Sequence, residues 1–142
     1  MIVRFAAAAD LPAIARIQAA SPTASQWDPA GYLTHPGDLN CECLLAEESG
    51  ATLGFLVIRP VAADEYEVLN LAIDPSARRR GTARRLLEYA LAQRHGAWFL
   101  EVRESNSGAI EFYTAQGFQR AGRRANYYRD PPEAAIVMKF NS

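Results

Sequence analysis

Leu69-Asn70-Leu71-Ala72-Ile73-Asp74-Pro75-Ser76-Ala77-Arg78-Arg79-Arg80-Gly81-Thr82-Ala83-Arg84 joins an apolar run to a basic turn built around a glycine, and its reading decides the fold. The apolar residues up to Ile73 suit an extended strand, and Asp74-Pro75 ends it. Beyond the turn, Ala83, Leu86, Leu87, Ala90 and Leu91 recur with the spacing of one helical face. The stretch therefore predicts a strand, a turn with three consecutive arginines, and an amphipathic helix packed on a sheet.

Such a junction can receive an anion. The first N–H groups of a helix have no partner within it, and the aligned peptide dipoles add about half a positive charge there. Gly81 and Ala83 leave room for a phosphate to approach, and Arg78, Arg79, Arg80 and Arg84 can add charge-assisted hydrogen bonds. Arginines at a helix start are otherwise unfavourable, by about 0.3–1 kcal/mol each, so a multiply charged ligand accounts for them. Taken alone, the run also fits a solvated face. Neither GxxxxGK[ST] nor GxGxxG occurs.

Working outward, residues 65–73 place Tyr66, Val68 and Ala72 on one face of a strand and Leu69, Leu71 and Ile73 on the other. Apolar residues on both faces predict a central strand. Upstream, residues 41–47 and 52–59 read as a hairpin around Glu48-Ser49-Gly50. Residues 2–5 form a first strand, and Asp10 and Pro12 start a helix carrying Leu11, Ile14 and Ile17. Pro22, Pro29, Gly31, Pro36 and Gly37 make residues 21–39 irregular, with room for a short helix over 28–33. Downstream, the long helix ends near His95-Gly96. A strand over 97–102, a helix over 107–116 closed by Gly117, and strands from Phe118 and over 134–140 complete a mixed α/β order without internal repeats.

The chain of 142 residues is expected to form a single domain over 1–142. Its formal net charge of −1, from 15 Lys and Arg against 16 Asp and Glu, gives no overall field toward nucleic acid or anionic membrane. The expectation is a protein that binds neither. Cys41 and Cys43 are two apart, a poor spacing for a disulfide within one strand, and read as free thiols of the core. With His35 and His95 they show no metal-ligand spacing, so no metal is expected. Asp10 and Pro12 interrupt the apolar start before it reaches signal-peptide length, and a cytoplasmic location is expected.

Arg78 to Ala83 resembles the acetyl-CoA motif [RQ]xxGx[GA] of the GNAT superfamily of acetyltransferases. Arg78 stands where glutamine is commoner, and Ala83 where a second glycine is commoner. Leu69 to Pro75, Leu100-Glu101-Val102-Arg103-Glu104-Ser105-Asn106, Ala109-Ile110, Phe112-Tyr113, Gly117-Phe118, and Arg124 with Asn126-Tyr127-Tyr128 resemble, in order, the RimI-type ribosomal-protein-alanine N-acetyltransferases. The similarity covers about the C-terminal half. It implies a GNAT fold: a mixed, mostly antiparallel sheet splayed around the acetyl-CoA site, with helices on both faces. It also implies acetyl-CoA as cosubstrate, with Leu71, Ala72, Ile73, Arg78, Arg79, Arg80, Gly81, Thr82, Ala83, Arg84, Asn106 and Tyr113 as its binding residues. The acceptor it implies is a protein N-terminal α-amine, with the N-terminal alanine of a ribosomal protein favoured, reached by direct attack in a ternary complex by a monomer or weak dimer.

Acetylating an amine requires a neutral nitrogen, a polarised thioester carbonyl and a proton for the leaving thiolate. An α-amine has a pKa near ~8, so a carboxylate working directly or through water is a sufficient base. The resemblance gives that role to Glu101, on the strand face opposite Trp98, Leu100 and Val102; Glu67 on the preceding strand is its rival. Tyr113 matches the general acid, or else packs in the core beside Ile110. Asn106 matches a pantetheine contact and also reads as a helix N-cap. Trp27, Tyr127 and Tyr128 line the acceptor groove, or respectively cap the core and end a hairpin. A GNAT enzyme for a small amine or amino acid, and a non-catalytic CoA-binding module, are the other readings.

Overall fold

The computed structural model describes residues 1–33 and 41–142. Of the stretch predicted to be irregular, residues 34–40, including His35, Pro36 and Gly37, lie outside the described residues. Seven strands, β1 (Ile2–Phe5), β2 (Glu42–Glu48), β3 (Ala51–Ala62), β4 (Glu65–Ile73), β5 (Ala97–Arg103), β6 (Gln119–Tyr128) and β7 (Glu133–Asn141), form one sheet in the order β1-β2-β3-β4-β5-β7-β6. Among the described residues three α-helices accompany them: α1 (Leu11–Ala19), α2 (Thr82–Gln93) and α3 (Ser107–Ala115). Every neighbouring pair is antiparallel except β4 and β5, which are joined through α2 as a parallel pair requires.

Helices cover both faces. On one, Leu86, Leu87 and Ala90 of α2 and Ile110 and Tyr113 of α3 pack with Leu56, Ile58, Trp98 and Leu100. On the other, Ile14 and Ile17 of α1 pack with Cys43, Leu45, Phe55 and Val57. Cys41 and Cys43 are buried free thiols, and burial pushes Cys43 up to about 12.

The alternation read for β4 needs correction. Val57 pairs with Asn70 but Ile58 pairs with Val68, so Leu69 is an extra residue in the strand. This bulge reverses the parity beyond it. Tyr66, Val68, Leu71 and Ile73 face α2, whereas Leu69 and Ala72 face α1, so Ala72 does not share a face with Tyr66 and Val68. Strand β3 also runs further than expected, through Pro60 to Ala62, with a register irregularity where proline cannot donate to the ladder. A Cβ on Gly54 would lie 2.8 Å from the Ala72 carbonyl oxygen, so glycine is needed where β3 approaches the far end of β4.

Strands β4 and β5 pair only through Glu65–Ala97, Tyr66–Trp98 and Glu67–Phe99. From Val68 onward β4 has no strand on that side among the described residues, while β5 continues alongside β7 to Arg103. The sheet thus splays at Glu67, leaving a row of β4 backbone groups for another extended partner. A short 3₁₀ turn, Pro75–Ala77, separates β4 from the basic loop, so α2 begins at Thr82. Asp74 fixes this junction: its side chain accepts from Ser76 N at 2.9 Å and from Arg16 of α1 at 2.7 Å.

Candidate active site

The basic loop ends in an open helix start. Gly81 has φ +77°, a conformation that strains residues bearing a Cβ, and Arg79 also has positive φ at +62°. The first bond of α2 runs from Arg85 N to Gly81 O, and the amides of Gly81, Thr82, Ala83 and Arg84 have no acceptor among the described residues. The arginines are unequal. Arg80 pairs with Glu48, and Arg84 with Glu88 at 2.7 Å, whereas Arg78 and Arg79 have no side-chain partner among the described residues. The Thr82 hydroxyl donates inward to Ala77 O at 3.4 Å, leaving its amide as the outward group. Anion-binding capacity therefore lies in the backbone and in Arg78 and Arg79.

Leu71, Ala72 and Ile73 occupy the unpaired edge of β4 that leads from the splay point to this helix start. Asn106 caps α3, its Oδ1 accepting from Ala109 N at 3.1 Å, while its amide nitrogen has no partner among the described residues. Tyr113 is buried, packing edge-on against Phe112 and Phe118 at ring-centre distances of 5.1 and 5.5 Å. Its hydroxyl has no hydrogen-bond partner among the described residues, and burial raises its pKa above the ordinary phenol value, Tyr128 adding to the effect. An extended thiol ester lying between the open helix start and the β4 edge is the kind of ligand these groups fit.

At the splay point a cavity of about 580 Å³ opens on the α1 face. Glu67 and Glu101 both line it, on the strand faces opposite Tyr66 and Trp98, and Tyr127 and Tyr128 enclose it from β6. Two features of β6 bring these tyrosines in. Arg124 pairs with Ala135 but Tyr128 pairs with Glu133, so β6 carries two extra residues there, and Asn126 takes φ +55° within that bulge. Tyr127 and Tyr128 then meet edge to face at 5.0 Å, beneath Arg124 and Arg103 respectively.

The two carboxylates differ in their partners. Glu67 receives Arg59 Nη2 at 2.6 Å, and Glu101 receives the largely exposed Arg124 Nη1 at 3.2 Å. Burial pushes the Glu101 carboxyl above its ordinary value and the charge of Glu67 adds to this, while Arg124 and the Tyr127 hydroxyl draw it back. A half-buried carboxylate with a raised pKa, facing a cavity beside a second carboxylate, is suited to take a proton from a bound cation.

The remaining wall comes from the α1–β2 connection: Ser25, Trp27, Asp28, Gly31 and Tyr32. Trp27 is 49% exposed and so does not cap the core. The structure thus brings Glu101, Glu67, Tyr127, Tyr128 and Trp27 together, and keeps the basic loop apart at the other end of β4. Sequence reasoning missed Arg59 and Arg124 as the carboxylate partners and Cys41 as a lining residue. The signal for Arg59 was available, since it stands opposite Glu67 in the β3–β4 hairpin. Among the described residues, no group of three or more His, Cys, Asp and Glu could hold a metal ion. No helix among the described residues is long and apolar enough to cross a membrane.

These features agree with the comparisons. The family of acetyltransferases known as GNAT matches residues 11–118. The [ribosomal protein bS18]-alanine N-acetyltransferase of Escherichia coli strain K12 is 34% identical over 135 residues, 91% of this chain and 89% of that protein. The N-alpha-acetyltransferase RimI of Mycobacterium tuberculosis is 34% identical over 120 residues, 82% of this chain and 76% of that one. The crystal structure of the E. coli ribosomal-protein-S18-alanine N-acetyltransferase superposes with a TM-score of 0.81 at 30% identity, covering 99% of this chain and 92% of that one. With a splayed sheet, an open basic helix start and relatives that match along most of its length, the chain belongs to the acetyltransferase (GNAT) family.

Proposed function

We propose that the protein transfers the acetyl group of acetyl-CoA to the α-amine of a protein N-terminus, the N-terminal alanine of a ribosomal protein being the favoured acceptor. The observation that carries this reading is the placement of Glu101 on a cavity that opens where β4 and β5 part. Acetyl-CoA supplies the activated thioester. Its phosphates would be held by the amides of residues 81–84 with Arg78 and Arg79, and its pantetheine arm by the β4 edge at Leu71–Ile73 and by the side-chain amide nitrogen of Asn106. The names of the E. coli and M. tuberculosis relatives support the acceptor class.

Glu101 takes the proton from the incoming ammonium, directly or through water, and the neutral amine attacks the thioester carbon in a ternary complex. A β4 N–H beside the thioester stabilises the developing oxyanion. The Tyr113 hydroxyl, which has no hydrogen-bond partner among the described residues, gives its proton to the leaving thiolate, and the second proton shed by the attacking nitrogen as the amide forms restores the phenol. Glu67, held by Arg59, adds negative charge that favours a cationic acceptor.

The test is incubation with acetyl-CoA and two peptides of one sequence, one with a free N-terminal alanine and one blocked there but carrying a free lysine. The expected product is one acetyl group on the alanine α-amine. Acetylation only of lysine or of small amines would replace this acceptor class, and no CoA release with any amine would remove the enzymatic reading.

A further inference from the structure

Asn70 lies one residue beyond the β4 bulge and is 5% exposed. Its side chain is spent on the α1–β2 connection. Nδ2 has three acceptors in reach for its two hydrogens: Ser25 O at 3.0 Å, Gln18 Oε1 at 3.1 Å and Tyr32 Oη at 3.1 Å. Oδ1 accepts from Ser25 N at 3.2 Å, so both backbone groups of Ser25 pair with this one carboxamide. Gln18 extends the network: its Nε2 donates to Trp27 O at 2.5 Å, and its Oε1 accepts from the Tyr32 hydroxyl at 2.5 Å.

Residues 21–28 contain no helix or strand, so their backbone groups must find partners elsewhere. Ser25 N, Ser25 O and Trp27 O find theirs in the buried side chains of Asn70 and Gln18. The same segment turns Ser25, Trp27 and Asp28 toward the cavity opposite Glu67 and Glu101. Meanwhile the main chain of Asn70 belongs to the unpaired edge of β4, next to Leu71–Ile73. One residue thus touches both the wall of the cavity and the strand along which the donor is proposed to lie.

We propose that Asn70 is a positioning residue of the acceptor site. Its carboxamide pins residues 21–28 to β4 and so sets the gap between the Trp27 wall and the two carboxylates. The inference rests on the assignment of this cavity to the acceptor. Among the described residues the hydrogen bonds that join residues 21–28 to β4 all run through Asn70, so without the pin the acceptor loses its seat while the basic helix start, at the far end of the strand, keeps the donor.

The test compares the full chain with Asn70→Ala and with the nearly isosteric Gln18→Met, each checked for cooperative unfolding. With acetyl-CoA and the alanine-terminated peptide, losing these buried hydrogen bonds is expected to raise the peptide KM about tenfold in both variants. The kcat at saturating peptide should stay within about threefold and acetyl-CoA affinity within about twofold of the parent. An unchanged peptide KM in either folded variant overturns the proposal, as does a parallel loss of acetyl-CoA affinity, which marks general damage. Acrylamide quenching of tryptophan fluorescence reads the wall independently of activity, because Trp98 is 0% exposed and Trp27 is not. Should the parent leave the peptide unmodified, the acceptor assignment fails. Stronger quenching in Asn70→Ala then still supports the pin, and unchanged quenching overturns it.

Discussion

Arg124 holds Glu101 from the neighbouring hairpin: its Nη1 donates to Glu101 Oε1 at 3.2 Å, and the same guanidinium lies 5.0 Å from the centre of the Tyr127 ring. The proposed base, its counter-charge and one wall of the cavity are therefore linked through one guanidinium. Removing the cation from Glu101 disfavours the ionised carboxylate, already penalised by burial and by Glu67. Arg124→Gln should shift the enzyme's acid limb in kcat/KM to higher pH, with the limb of the peptide amine unchanged. Profiles of both proteins on one peptide test this; an unmoved limb, or one at lower pH, contradicts the pairing.

Tyr113 allows packing and chemistry to be separated. Its ring packs between Phe112 and Phe118, but its hydroxyl has no partner among the described residues. Tyr113→Phe should therefore change stability by less than about 0.5 kcal/mol. If the hydroxyl protonates the leaving thiolate, kcat should fall by about 10²-fold or more. Denaturant unfolding and single-turnover rates check the two halves; full activity removes the proposed acid.

At the helix start, Gly81 has open space around its missing Cβ but φ +77°. Gly81→Ala should cost only backbone strain, about 1–2 kcal/mol. Gly81→Asp adds a negative charge where phosphate is proposed to bind and should weaken acetyl-CoA much more. Calorimetric titration distinguishes them, and equal affinities for the two variants contradict the phosphate placement.

Asp74 ties α1 to the β4–α2 junction, and its hydrogen bonds from Ser76, then Arg16, hold its carboxyl down at about 2 against an ordinary 3.8. The fold favours the ionised form, so this stabilisation is complete above 3.8 and is lost as pH falls through about 2. Asp74→Asn should lower Tm at neutral pH, and the gap from the parent should close across that window. Thermal melts from pH 6 to about 2 test it; a constant gap contradicts the linkage.

Much of the fold was legible because it follows local periodicity. Leu86, Leu87 and Ala90 announced the face of α2, and Trp98, Leu100 and Val102 the inner face of β5. The β4 faces were misread because alternation assumes an unbroken register, and one extra residue at Leu69 is visible only against the β3 partner. Likewise Tyr127 and Tyr128 were recognisable as a motif, but their approach to Glu101 depends on the β6 bulge and on Asn126 in a left-handed conformation. The Asn70 network joins residues 38 to 52 positions apart, beyond the reach of any local pattern. Arg78 and Arg80 look alike in sequence; only the structure shows Arg80 held by Glu48 and Arg78 without a side-chain partner among the described residues.

The base assignment is tested most directly by the rate of acetyl transfer from acetyl-CoA to an alanine-terminated peptide in Glu101→Gln, with Glu67→Gln alongside. The predicted result is a loss of about 10²–10⁴-fold in kcat for Glu101→Gln, acetyl-CoA affinity retained, and a smaller loss for Glu67→Gln. Near-parent turnover in Glu101→Gln, or the larger loss in Glu67→Gln, would contradict it.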